Sequence, residues 1–307
     1  MTQMILHHYW PSPFAHKIRM VFGLADVGWR SVEIPRVPPK PLLVPLTGGY
    51  RRTPVLQIGA DVFCDTQNIV RAIGEAGFEP KIFPNGCEAP ANLVAAWIDQ
   101  AVFNLAARVI ITNSLDTAPA EFISDRGDLY FGSGWTKAQL KRDLSGVILQ
   151  LHADLSMIDR AIGPVSGMCS TSLSYADVAV AYLAWFIRGR WESGPDFLSG
   201  FMNICRIETL VGDLGDGSHT SLSAEEALSE ALRNESNAPR GIYVNATDLE
   251  IGQLIMIKPQ GESSDPVVSG LLRYLDCNRV SIDHFSDDTG KIAVHFPVSG
   301  YRISAGD

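Results

Sequence analysis

The chain has 307 residues, 46% of them hydrophobic and 19% charged, which is room for two or three domains that each bury a core. A formal net charge of -9 with no basic cluster to offset it excludes nucleic acid or an anionic membrane as the main partner. Five scattered cysteines, odd in number and without a CxxC, read as reduced thiols of a cytosolic protein rather than a disulfide frame or zinc site.

Met1 to Trp10 enter strand chemistry at once, with no charged n-region or cleavage site, so no secretory signal is expected. No uncharged apolar run reaches membrane-spanning length, Val178 to Ile187 being the nearest. Met4 to Tyr9 predict a short strand interrupted by His7 and His8. Ser12-Pro13 then start a helix, with Ser at N-cap and Pro at N1, and Phe14, Ile18, Val21, Phe22 and Ala25 follow at helical spacing. Trp29 to Ile34 predict a second strand. Arg36 to Gly49, with prolines at 38, 39, 41 and 45, predict a loop over the surface.

Thr47 to Ile73 are the most informative stretch. A Gly-Gly turn leads through Thr53-Pro54 into an apolar strand, Val55 to Ile58. Gly59 to Asp61 turn into a second strand, Val62 to Cys64. Asp65 or Thr66 then caps a helix carrying Ile69, Ala72 and Ile73, with Gly77 as its stop. Proline cannot donate to a ladder, so Pro54 belongs at a strand start or in a tight turn. If its bond is cis, the backbone of Thr53 is left free to pair with an extended ligand.

A linker from Glu79 to Pro90 precedes a change to helical period. Ala91 to Asn113 predict one helix, and Gly127 to Gly134 a break. Thr136 with Gln139 starts a helix to about Ile162, and Ser174 with Asp177 starts Tyr175 to Ile187. That last helix is apolar nearly all round, as at the centre of a bundle. Pro195 to Leu210 and the helix opened by Ser223 and Glu226 complete an all-helical region. After a polar linker at Asn234 to Pro239, alternation of period two predicts a small all-β unit of about seventy residues.

The order of four motifs resembles the glutathione S-transferase family over roughly Met4 to Arg233. They are Ser12-Pro13-Phe14-Ala15, Thr53-Pro54-Val55-Leu56, Asp65-Thr66, and the Ser174 to Asp177 box. The resemblance implies an α/β thioredoxin-like glutathione-binding domain (1–79) and an all-α bundle domain (90–235). A small all-β C-terminal domain (240–307) lies outside the ordinary two-domain pattern and resembles an appendage of one bacterial and fungal branch. Thr53 and Thr66 stand where the family commonly has Val and Ser.

The resemblance implies that glutathione is the co-substrate, that Ser12 is the catalytic residue donating to the thiolate, and that the protein is a cytoplasmic homodimer. Serine rather than cysteine at that position disfavours a mixed-disulfide mechanism, and Cys64 reads as core. Thr53-Pro54 would pair with the cysteinyl backbone, Asp65 and Thr66 would hold the γ-glutamyl ammonium and carboxylate, and Arg52 the glycyl carboxylate. Trp10, Trp97, Asn104 and Arg108 are the candidates for a second, electrophilic substrate. Each also has a plain structural reading: Ser12 and the Asp65-Thr66 pair as helix caps, Arg52 as a surface charge, the rest as packing. His7, His8, His284 and His295 lack metal-ligand spacing, so no metal is expected. The alternatives are a non-catalytic glutathione-fold protein working through its β unit, and a glutathione-dependent lyase or isomerase.

Overall fold

The structure is a computed structural model and describes residues 3–261 and 263–306. In chain order it opens with β1 (Met4–His8), α1 (Pro13–Ala25), β2 (Gly28–Glu33), α2 (Val44–Thr47), β3 (Val55–Ile58), β4 (Asp61–Cys64) and α3 (Thr66–Ile73). A helical run follows: α4 (Glu79–Ile82), α5 (Glu88–Trp97), α6 (Phe103–Asn113), α7 (Ala120–Phe131), α8 (Lys137–Ala161), α9 (Tyr175–Arg190), α10 (Gly194–Leu198) and α11 (Met202–Gly212). The last stretch holds β5 (Ser218–Ser221), α12 (Ala224–Arg233), β6 (Gly241–Ile242), β7 (Leu254–Pro259), β8 (Val268–Leu275), β9 (Arg279–Ser286), β10 (Gly290–Pro297) and β11 (Tyr301–Ala305). The chain divides into two compact units, one of residues through Ala15, Gly28–Ala72 and everything from Ser218 on, the other of His16–Val27 and Ile73–Gly217.

The first unit is built on one sheet, ordered β11-β7-β8-β9-β10-β4-β3-β1-β2-β5, with β6 added beside β8. The C-terminal strands are therefore not a free-standing domain, as the change of period after residue 239 suggests. β10 pairs parallel to β4, Val294 opposite Val62, and makes the two halves one sheet. The physical reason lies in β10 itself, whose residues from Ile292 to Pro297 are buried on both faces, as only an interior strand can be. One hydrophobic core spans the junction, joining Ile5, Val32 and Val62 to Ile282, Val294 and Phe296. The helical region also ends earlier than residue 235. β5 adds parallel to the edge of β2, and α12 lies with the sheet, its Ala227 carbonyl accepting from Gln57 Nε2 at 2.9 Å.

The proline-rich segment does not simply lie over the surface. Lys40, Leu43, Leu46, Thr47 and Tyr50 are buried, and α2 turns within it. Gly48 closes α2 with φ 65°, and a Cβ there would crowd Val268 and His284 of the C-terminal strands.

In the second unit, α5 and α6 form the single helix expected, joined by a π-turn at Ile98–Val102. The turn holds Asp99, which pairs with fully buried Lys17 and accepts from the Tyr182 hydroxyl at 2.7 Å. Among the described residues, the run Glu88–Asn113 alone is long and apolar enough to cross a membrane, with mean hydropathy 1.4 and half of that window buried. Asp99 and Arg108 interrupt it, so it does not stand out as an uncharged run.

The break expected over Gly127 to Gly134 falls at Gly132, just beyond α7. Gly127 sits inside the helix because a Cβ there would lie 2.1 Å from the Trp135 ring. Thr136 accepts from Gln139 N at 3.1 Å to start α8, and the Ser174–Asp177 capping box starts α9.

Candidate functional site

Register gathers the sequence-marked residues at one end of the first unit's sheet. β1 and β3 run antiparallel with His7 opposite Val55, and β3 and β4 antiparallel with Val55 opposite Cys64. The C-terminal end of β1, the start of β3 and the end of β4 therefore share an edge. From that edge leave the turn into α1 at Ser12, the Thr53-Pro54 bond and the start of α3 at Asp65.

Ser12 is buried, and its Oγ accepts from Ala15 N at 3.2 Å, the N-cap geometry that Ser-Pro predicts. Among the described residues its hydroxyl hydrogen has no acceptor, so it is free to donate. The Thr53-Pro54 bond is cis, as is Pro38-Pro39. β3 begins pairing only at Val55, and among the described residues neither the N–H nor the C=O of Thr53 makes a hydrogen bond. Asp65 adopts φ 73°, and its Oδ1 accepts from Gln67 N at 3.0 Å, capping α3. Thr66 follows, buried, at the first position of that helix.

Four residues that sequence reasoning passes over complete the arrangement. Lys40 Nζ donates to Thr53 Oγ1 at 2.8 Å and to the Arg51 carbonyl at 2.9 Å, and lies 5.9 Å from the Tyr9 ring. The only signal of it is a cation set between prolines, Pro39 and Pro41. Tyr301 donates to Asp65 Oδ2 at 3.1 Å, with the Tyr50 hydroxyl 3.5 Å away. Asp265 accepts from Arg52 Nε at 2.9 Å and Nη2 at 2.5 Å. The topology explains the last two contacts. β10 runs parallel to β4 and so ends at the site, and β11 opens there with Tyr301, paired to Pro259 at the end of β7. No local pattern in the sequence marks either residue.

The electrostatics follow from burial beside one carboxylate. Burial, and then the charge of Asp65, push the Tyr301 and Tyr50 hydroxyls well above the usual phenol range. The same two causes push the Cys64 thiol up, so it stays an unreactive core thiol. Burial alone would lower the Arg52 pKa, but its hydrogen bonds to Asp265 and the charge of that carboxylate raise it. Arg52 is thus a fixed cation whose forked edge already holds a carboxylate.

The remaining candidates have the following surroundings. Trp10 is 39% exposed and packs against His8 and His219, with ring centroids 5.0 and 5.4 Å away. Trp97 ends α5, half-buried. Asn104 donates to the Tyr130 carbonyl at 3.0 Å and accepts from Arg108 Nε at 2.9 Å, and the Arg108 guanidinium lies 4.7 Å from the Phe131 ring, so these two brace α6 against α7. His7 and His8 are buried on Gln57 and Ser31. His295 is buried between Ser281 and Asp61. That last trio has the order of a hydrolase triad, but Ser281 and His295 are at most 1% exposed, so it is a structural pin. Among the described residues no group of three His, Cys, Asp or Glu is placed to hold a metal ion.

Comparison with known proteins fits this construction. The family model for the glutathione S-transferase N-terminal domain matches residues 6–81, the stretch from within β1 to within α4. The chain is 21% identical over 189 residues to the probable glutathione S-transferase parA of Nicotiana tabacum, covering 60% of this chain and 74% of that protein. A glutathione S-transferase from Methylobacillus flagellatus, solved with glutathione bound, shares the fold at TM-score 0.51 and 15% identity, over 69% of this chain and 98% of its own. A GST-like protein from Pseudomonas syringae is similar from end to end: 30% identity and TM-score 0.74, covering all of both chains and so the C-terminal strands as well. With that full-length likeness and the matched N-terminal domain, the chain belongs to the glutathione S-transferase family.

Proposed function

We propose that the protein binds glutathione at the edge formed by Thr53, Asp65 and Thr66, and that Ser12 activates the thiol for transfer to a small electrophilic organic molecule. The observation that carries this reading is the backbone of Thr53, unpaired among the described residues, next to a carboxylate that begins a helix. An extended peptide adds to such a backbone as a strand, which suits the cysteinyl residue. The γ-glutamyl carboxylate then meets the amides that open α3, and its ammonium meets Asp65. An ionised carboxylate accepts about four hydrogen bonds. Gln67 N and the Tyr301 hydroxyl use two of them, which leaves capacity for the ammonium.

Ser12 supplies a hydroxyl hydrogen with no competing acceptor among the described residues, at the start of α1, where the helix dipole also favours a thiolate. Trp10, 39% exposed two residues before Ser12, is the proposed contact of this unit with the second substrate. A cytoplasmic homodimer is the proposed setting, in keeping with the five free cysteines and the habit of the family. A second reading, a non-catalytic glutathione-fold protein, draws support from the closed Arg52–Asp265 pair.

The test is the ultraviolet thiolate band of bound glutathione, together with turnover of a chloro-dinitroaromatic electrophile, in wild type, Ser12→Ala and Ser12→Thr. A hydrogen bond to an ion contributes about 1.5–3 kcal/mol, so Ser12→Ala should lower turnover about 10- to 100-fold and lose the band, while Ser12→Thr keeps both. Glutathione bound without turnover in the wild type would favour the non-catalytic reading. Full activity in Ser12→Ala would remove Ser12 from the mechanism.

A further inference from the structure

Both charged anchors of the proposed site are already touched by the C-terminal strands, and the two contacts are not alike. Tyr301 takes one acceptor position of Asp65 and leaves others open. Asp265 closes the fork of Arg52, receiving Nε and Nη2 together on its Oδ2. The Asp265 side chain is only 2% exposed, yet among the described residues its other oxygen, Oδ1, has no hydrogen-bond partner. A well-seated Arg–carboxylate pair uses both oxygens, and a buried one left without a donor is costly.

The segment that carries Asp265 is also lightly held. Gln260 N donates to the Gly300 carbonyl on one side, and β8 begins at Val268 on the other. Among the described residues 263–267 make no backbone hydrogen bond. Among the described residues their side-chain hydrogen bonds are those of Asp265 with Arg52 and a 3.5 Å contact from Arg51 Nη1 to Ser264 Oγ. Few backbone bonds have to break for such a segment to move.

We propose that Asp265 is an internal stand-in for the terminal carboxylate of a peptide ligand, holding Arg52 until such a carboxylate displaces it. This rests on reading the Thr53–Asp65 edge as the glutathione site. Asp265 then determines specificity: it lowers the advantage that a free glycyl carboxylate gives to a thiol peptide. The C-terminal strands contribute part of the ligand site rather than a separate module. An amide in place of the ligand carboxylate leaves Asp265 where it is, so such a ligand is insensitive to the residue at 265.

The test is calorimetry of glutathione and of its C-terminal amide on the full chain, as wild type and as Asp265→Asn. Glutathione should bind the variant at least tenfold tighter, and the amide should change less than threefold. Equal or weaker glutathione binding by the variant, or an equal gain for the amide, overturns the proposal while leaving the site reading in place. No heat from glutathione with either protein overturns both. Hydrogen exchange on the wild type needs no variant to fold: saturating glutathione should speed exchange of the Gln260 amide, which is bonded to the Gly300 carbonyl where this segment leaves β7, and unchanged or slower exchange contradicts displacement.

Discussion

At the scale of single residues, Ser12 has a structural duty that is separable from its proposed chemistry. Its Oγ caps α1, so Ser12→Ala should cost about 1 kcal/mol of stability whether or not the thiol is activated, and Ser12→Asp should restore the cap without restoring turnover. Denaturant unfolding read beside the kinetics separates the two effects. His7 sets an acid limit. Burial drives its pKa from 6.5 down to about 4 against the opposing hydrogen bond to Gln57, so the folded chain holds it neutral while the unfolded chain protonates it. Its contribution is complete above pH 6.5 and is lost as pH falls toward 4, a loss of about 3 kcal/mol. Midpoints in denaturant should fall through that window, and His7→Gln should flatten the fall; a slope unchanged in the variant would show that another group governs it. Ser12 and the Thr53-Pro54 turn were legible because a cap and a strand-opening proline are local signals. Lys40, Asp265 and Tyr301 were not, because what defines them is contact with residues 11, 213 and 236 positions away along the chain.

Among the elements, the pairing of β4 with β10 decides the character of the C-terminal half. The seam is pinned by a buried polar chain: Ser281 Oγ to His295 Nδ1 at 2.7 Å, His295 Nε2 to Asp61 Oδ1 at 3.1 Å, and Ser236 Oγ to the same oxygen at 2.5 Å. Burial lowers the His295 pKa despite the neighbouring carboxylate. Burial would raise that of Asp61, but the hydrogen bonds from His295 and Ser236 overcome it and lower it. A neutral imidazole therefore donates Nε2–H to an ionised Asp61 and accepts from Ser281. His295→Ala leaves a buried carboxylate short of a donor and should cost about 3 kcal/mol, measurable in urea; a loss under about 0.5 kcal/mol would mean the pin is ornamental. Alternating residues announced the strands from Leu254 onward, but alternation says nothing about which strand lies alongside. The one hint was the near-continuous apolar run from Ile292 to Phe296, with a histidine in its midst, which suits an interior strand and not a solvated one.

On the scale of the whole molecule, the sequence suggests three successive domains and the chain forms two interleaved units. The unit holding the site is closed by residues from both ends of the chain. Truncation after residue 239 would strip β6 to β11 from the sheet and expose β4, with Val62 and Phe63, as a bare edge. The shortened chain should be insoluble or lose cooperative unfolding, whereas a soluble, cooperatively folded fragment would contradict a shared core. The helical region was largely legible because its capping residues and period are local, and its boundary was misjudged because α12 has the same amphipathic pattern whichever unit it packs on. The central claim, that the Thr53–Asp65 edge holds the γ-glutamyl-cysteinyl part of glutathione, is tested most directly by calorimetric titration of glutathione into the wild type and into Asp65→Ala. Binding that Asp65→Ala weakens tenfold or more, about 1.4 kcal/mol, is the predicted result. Wild-type binding left unchanged by Asp65→Ala would contradict the claim.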